Sequence, residues 1–261
     1  MMLQDRVALI TGGGVGIGRG IAKALAGQGV RIGICGRRAE PLEETVGELK
    51  ASGASAMGVT ADVTNRQDLE RVVSAIVAEW GQIDILVNNA GVSGRTPIDD
   101  PDDSRWSNII QVNLTGSYLC SKIVLPHMKD PGYGRIINLS SVLGRFGVPG
   151  YAAYCTAKHG IIGFTKAIAL EVAHRGITVN AVCPTWVDTA MARQGIEETA
   201  AVLGMSTEDF RTQAIAAVPI KRMAKVDEIA STVLFLCSPM AAAISGQAIN
   251  VCGGATAGSG G

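Results

Sequence analysis

The chain has 261 residues, 47% of them hydrophobic and 18% charged, with 23 basic residues balanced by 23 acidic ones. Such a length buries a large core, and a formal charge of zero argues against gripping a nucleic-acid backbone, which takes clustered Lys and Arg. No window approaches about 18 consecutive apolar residues, so no membrane span is expected.

In chain order, apolar runs of strand length alternate with segments of helical period. The opening, MMLQDRVALITGGG, runs straight into a first strand, RVALIT (6–11), so no leader is expected. A helix near 17–28 follows, then VRIGIC (30–35), a helix near 40–51, SAMGVT (55–60) and a helix at 66–80. IDILVNN (83–89) precedes a long helical stretch, 103–128; RIINLS (135–140) precedes another at 151–174. ITVNAVC (177–183), a helix near 226–238 and AINV (248–251) complete the pattern. Several runs are apolar on successive residues, as in strands covered on both faces. The alternation predicts one α/β domain over 1–261, a Rossmann-type doubly wound sheet of seven mostly parallel strands flanked by helices.

One stretch breaks the rhythm. Residues 188–219 hold no strand, and STEDF brings its own helix start, with Ser206 as N-cap and Asp209 at N3. A helical excursion between strands six and seven lies beyond the strands' carboxyl ends, where such sheets bind ligands, and reads as a substrate lid. The last residues, about 255–261, are glycine-rich and expected to be mobile at their end. Six cysteines (Cys35, Cys120, Cys155, Cys183, Cys237, Cys252) are scattered without a C-x-x-C pair. That suits free thiols in a reducing cytoplasm better than a metal site or a disulfide framework, so no metal is expected.

TGGGVGIG links the first strand to the first helix, and Gly12, Gly16 and Gly18, with Ile17 between the last two, give G-x-x-x-G-x-G. Glycines here allow positive φ and bring backbone N–H groups close to a pyrophosphate at a helix N-terminus. After the second strand stand Arg37 and Arg38, with no acid at the strand end. A guanidinium binds a 2′-phosphate where a carboxylate would repel it, so NADP(H) is favoured over NAD(H).

YCTAK places Tyr154 and Lys158 four apart, on one face if the segment is helical. An ammonium about 5 Å from a phenol favours phenolate by roughly 3 kcal/mol at an effective dielectric of about 20. The pair is expected to bring the tyrosine toward use as a proton donor and acceptor near neutrality.

Thr11 to Gly18, NNAG (88–91), Asn113 in QVNLTG, INLSS ending at Ser141, and Tyr154/Lys158 resemble, in order and spacing, the short-chain dehydrogenase/reductase family. The C-terminal half resembles the ketoreductases of aromatic polyketide pathways and the β-ketoacyl reductases. The resemblance implies that Tyr154 exchanges the proton of a carbonyl or hydroxyl oxygen, and that Lys158 lowers its pKa and holds the nicotinamide ribose. It also implies that Ser141 bonds the substrate oxygen and that Asn113 anchors a water relaying protons to Lys158. Ser140 is the alternative for the serine, and Tyr151 the decoy for the tyrosine, lacking a lysine four residues on. By the same comparison Asp62 and Val63 meet the adenine, Asn89, Ala90 and Gly91 lie behind the ribose and nicotinamide, and Val187 and Thr189 meet the carboxamide. Two departures are Val15, where NADPH-preferring relatives often carry a basic residue, and Thr185, where they carry glycine.

Loops after strands four to six nominate Ser93, Gly94 and Arg95, then Leu143, Arg145, Phe146 and Val148, then Trp186 and Met191 as pocket walls. Their apolar character suits a fairly large or carrier-linked ketone or secondary alcohol. The helix after Tyr151 is apolar on most faces, so subunit pairing is expected, and the resemblance implies a homotetramer.

Overall fold

A computed structural model of the chain describes residues 2–128 and 132–258. Seven strands form one sheet: β1 (Val7–Thr11), β2 (Arg31–Gly36), β3 (Ala56–Thr60), β4 (Ile85–Asn88), β5 (Gly134–Leu139), β6 (Ile177–Pro184) and β7 (Ala248–Val251). Their order is β3-β2-β1-β4-β5-β6-β7 and every pairing is parallel. The order reverses between β1 and β4, and that switch point opens a crevice at the strands' carboxyl ends.

β1 shows how sequence makes this architecture. All five residues are buried, and alternate side chains feed opposite cores. Ala8 and Ile10 pack with Ile21 and Leu25 of α1 (Gly16–Ala26) and Ile229 and Val233 of α9 (Val226–Cys237). Val7 and Leu9 pack with Leu69, Val72 and Ile76 of α3 (Arg66–Trp80) and Cys120 and Val124 of α5 (Gly116–Val124). Each such Val, Leu or Ile side chain contributes about 1.5–3 kcal/mol on burial, which explains why a two-faced strand reads as a continuous apolar run. α2 (Ala39–Ala51) lies between β2 and β3. Local signals set the ends: the Asn65 side chain accepts from the N–H groups of Gln67 and Asp68 at the start of α3, and Gly81, at φ 84°, ends it.

The stretch expected as one helix over 103–128 is broken. α4 (Ser104–Ile110) runs into a π-turn, Gln111–Thr115, before α5, and Leu125–His127 closes as a 3₁₀ turn holding Pro126. The π-turn carries Asn113. Helix α6 (Ala152–Val172) carries Tyr154 and Lys158.

The excursion after β6 is helical, α7 (Ala190–Leu203) and α8 (Thr207–Ala216), and the Ser206 hydroxyl caps α8 by accepting from the N–H of Asp209. The C-terminal segment turns back on itself: Asn250 Nδ2 donates to Thr256 Oγ1 at 2.9 Å. The end expected to be mobile, 259–261, lies outside the described residues. Among the described residues no helix is long and apolar enough to cross a membrane, and all six cysteines are buried free thiols.

Candidate active site

The glycine turn is built by close approach. A Cβ on Gly18 would stand 2.3 Å from the Gly12 carbonyl oxygen, and one on Gly12, at φ 66°, would meet Asn89 Nδ2 at 2.9 Å. Helix α1 can therefore seat its N-terminus against the end of β1 only with these glycines, leaving its first N–H groups facing the crevice. Thr11, absent from the expected site residues, is the hub that holds this turn. Its hydroxyl accepts from the N–H groups of Asn89 and Ala90, both at 3.0 Å, while Asn89 Nδ2 donates to the Thr11 and Gly12 carbonyls. The polar residue just before the first glycine was the available signal. Asn89, expected behind the cofactor, spends its side chain on this scaffold.

Beside the turn lies a cavity of about 420 Å³ whose walls include Gly12, Val15, Arg37, Arg38, Asp62, Val63, Ala90 and Gly91. It gathers Gly12, Arg37, Arg38, Asp62, Val63, Ala90 and Gly91 of the expected cofactor residues. Arg37 and Arg38 are exposed, and among the described residues neither has a carboxylate partner. Asp62 Oδ1 accepts from the N–H and hydroxyl of Thr64, both at 2.8 Å, which fixes the carboxylate on the wall. Gly16 faces Thr189, whose methyl carbon lies 3.4 Å from where a Cβ would be. A backbone-lined turn, a helix N-terminus and two unpaired guanidiniums fit a phosphorylated dinucleotide.

Ser141, Tyr154 and Lys158 meet where β5 passes into α6. Ser141 N-caps a 3₁₀ turn, Val142–Gly144, its Oγ accepting from the N–H of Leu143 at 3.1 Å while its own proton is directed at the Tyr154 phenol. Lys158 is 4% exposed; its Nζ donates to the Leu139 carbonyl at 2.8 Å and lies 5.3 Å from the Tyr154 ring centroid. Burial pulls the Lys158 ammonium down to about 8. Burial likewise pushes the Tyr154 phenol up to about 12, while a hydrogen bond from Ser141 works in the opposite direction. This corrects the expectation of a lysine-acidified tyrosine: in the bare site desolvation dominates and disfavours both charged forms. Ser140 drops out of contention, because its hydroxyl donates to the Lys158 carbonyl at 2.9 Å and ties β5 to α6.

Asn113 sits in the π-turn, 0% exposed, its Nδ2 donating to the carbonyls of Val92 and Ile109 at 2.9 Å. Its Oδ1 is buried without a partner, and a Cβ on Gly91 would come within 2.7 Å of it. A buried acceptor left open in a π-turn marks a position shaped for a further donor. Periodicity gave no sign of that turn, because one extra residue barely disturbs an apolar stripe.

A second cavity, about 450 Å³, opens from Ser141 and Tyr154 toward the lid. Ser93, Leu143, Phe146, Val148, Trp186 and Met191 line it, as expected, with Ile17, Val187 and Thr189; Phe210 and Val218 close it from the α8 side. Gly94, Arg95 and Arg145 do not line it. Arg145 bonds the Ala248 carbonyl and Asn250 Oδ1 on β7, and the Arg95 guanidinium lies over the Tyr151 ring, 5.8 Å from its centroid. Both were placed on the pocket wall by loop position alone, and each is turned away by a partner on another element.

The strand order, the glycine turn at the switch point and a Ser–Tyr–Lys cluster beside it define a dinucleotide-binding α/β oxidoreductase. Residues 6–200 match the short chain dehydrogenase family, and the chain belongs to that family. It is 41% identical over 254 residues to the 3-oxoacyl-acyl-carrier-protein reductase of Vibrio cholerae, covering 97% of this chain and 98% of that protein. A tryptophan variant of actinorhodin polyketide ketoreductase with NADPH is similar in structure at TM-score 0.93 and 43% identity, over 96% of this chain and 97% of that one. NAD+-bound xylitol dehydrogenase is similar at TM-score 0.93 and 31% identity, over 97% of this chain and 100% of that one.

Proposed function

We propose that the protein is an NADP(H)-dependent ketoreductase acting on a fairly large, mainly apolar or carrier-linked ketone, with the reverse oxidation of the secondary alcohol also open to it. The observation that carries this reading is the pair of hydroxyls, Ser141 and Tyr154, at the mouth of an apolar cavity adjoining the glycine-turn cleft. Reduced nicotinamide, when bound, supplies the hydride for the carbonyl carbon. Tyr154, whose phenol burial keeps protonated, gives its proton to the carbonyl oxygen. Ser141 donates to the same oxygen as negative charge builds there. Lys158 steadies the cofactor ribose and, when charged, favours the tyrosinate left behind. Asn113 holds a proton-relaying water at its open Oδ1. Gly12, Gly16, Ile17 and Gly18 cradle the pyrophosphate, Asp62 and Val63 the adenine, Ala90 and Gly91 the ribose, and Val187 and Thr189 the carboxamide.

Arg37 and Arg38 support the 2′-phosphate, as does the NADPH of the actinorhodin enzyme. Val15, a neutral residue lining the same cleft, favours the second reading, an NAD(H)-dependent secondary alcohol dehydrogenase like the NAD+-bound xylitol enzyme. Arg37→Asp separates the two: kcat/KM for NADPH falls at least tenfold relative to NADH if the arginine binds phosphate, and the ratio stays put if it does not. We also propose a homotetramer, for which Leu170, 82% exposed on α6, offers an apolar contact, and a cytoplasmic location, which six unpaired cysteine thiols suit. A single-subunit mass by light scattering at micromolar concentration contradicts the assembly.

A further inference from the structure

We infer that the hydroxyls of Tyr151 and Thr199 form a second substrate-recognition point, an acceptor site for a hydroxyl carried by the ketone some bonds away from its carbonyl. The inference rests on the ketoreductase reading above and narrows its substrate class.

Tyr151 is the N-cap of α6 and is 8% exposed. It is held by a β-bridge to Thr96, by its carbonyl accepting from the N–H of Cys155 at 2.9 Å, and by Arg95 over its ring. Its phenol oxygen lies 2.9 Å from Thr199 Oγ1 on the lid helix α7, and both residues line the 450 Å³ cavity. Proton accounting fixes the direction of that bond. The Thr199 hydroxyl has one proton, and it goes to the Gly195 carbonyl at 2.7 Å. Thr199 therefore accepts and Tyr151 donates. With both protons spent inside the wall, the pair offers the cavity only lone pairs.

The reacting end has the opposite character. Ser141 Oγ accepts from Leu143 and gives its proton toward the Tyr154 phenol oxygen, so the Tyr154 proton is the one left for the cavity, and burial keeps it in place at neutral pH. Tyr151, the N-cap, and Tyr154, in the first turn of α6, are three residues apart, and both line the cavity. The cavity thus presents a proton donor to a carbonyl oxygen and, a helical turn away, acceptors. Ser93 and Thr185 also bring hydroxyls to the wall, but neither spans two elements. A ketone bearing a hydroxyl satisfies both ends at once and ties the catalytic helix to the lid. An analogue with an ether there leaves the acceptors facing an acceptor.

The test uses 5-, 6- and 7-hydroxy-1-tetralone, each paired with its methyl ether, on the full-length protein with NADPH or NADH. The hydroxyl-to-ether ratio is taken within each protein, so any general loss cancels, and it is read both as kcat/KM and as Kd by calorimetry. In the wild type at least one isomer is expected to be favoured roughly three- to tenfold over its ether. In Tyr151→Phe, which removes one of the two acceptors and leaves Thr199 Oγ1, that ratio falls at least about twofold. In Thr199→Val the phenol proton is released into the cavity, and the ratio shifts toward the ether. A ratio unchanged between wild type and Tyr151→Phe for all three isomers overturns the inference, as does absence of binding by every hydroxytetralone; a purely structural latch would give the unchanged ratio. Predicted Kd ratios without turnover on either coenzyme sink the reaction and leave the recognition point standing. Turnover with flat ratios does the reverse.

Discussion

Replacing Lys158 with methionine isolates the electrostatic cost of the site. The ammonium is almost fully buried, its protein contact is the Leu139 carbonyl, and burial draws it from 10.5 to about 8. That drop corresponds to about 3 kcal/mol. Below pH 8 the lysine is charged in both states, and the folded protein carries the full desolvation cost. Between pH 8 and 10.5 the unfolded chain binds a proton that the folded one has released, so stability rises with pH through that window. Methionine, similar in volume and uncharged, has no such slope. Lys158→Met is therefore expected to be more stable than wild type at pH 7, by about 3 kcal/mol less about 1 kcal/mol for the lost Leu139 bond. The advantage should shrink by about 3 kcal/mol on going to pH 10.5. Tyr154, raised to about 12, makes stability fall with pH only from 10 upward and is present in both proteins. Urea denaturation without coenzyme, at fixed protein concentration from pH 7 to 10.5, gives the two curves. Curves that stay parallel within about 1 kcal/mol refute the reasoning.

Gly18→Ala forces a Cβ to within 2.3 Å of the Gly12 carbonyl oxygen, so the turn must shift. The expected loss is about 1–3 kcal/mol, seen as a lower Tm and at least fivefold weaker coenzyme binding in calorimetry. Ser141→Ala is expected to lower kcat about 10²–10³-fold with coenzyme Kd little changed. Ser140→Ala instead frees the Lys158 carbonyl and should show first as a Tm loss; equal kcat effects from the two serines would contradict their separate assignment.

The fold was legible because each strand of a doubly covered sheet is apolar on consecutive residues, and all seven runs became strands within a residue or two. The glycine turn and the Tyr154–Lys158 spacing were legible for a similar reason: local geometry demands them. What escaped were choices made by partners distant in sequence. Arg145 belongs to β7, Arg95 to Tyr151, Ser140 to the Lys158 carbonyl, and Tyr151 to the lid. The π-turn at Asn113 escaped because its apolar pattern still reads as helix. The direction of the Tyr154 shift escaped because a Coulomb estimate between two side chains takes no account of desolvation.

Tyr154→Phe puts the proton-transfer reading to its hardest trial. It removes one oxygen and leaves the ring against Lys158. Single-turnover ketone reduction, followed by loss of nicotinamide absorbance, is expected to slow about 10²–10⁴-fold while coenzyme Kd moves less than about threefold. A variant that reduces the ketone at the wild-type rate contradicts the account.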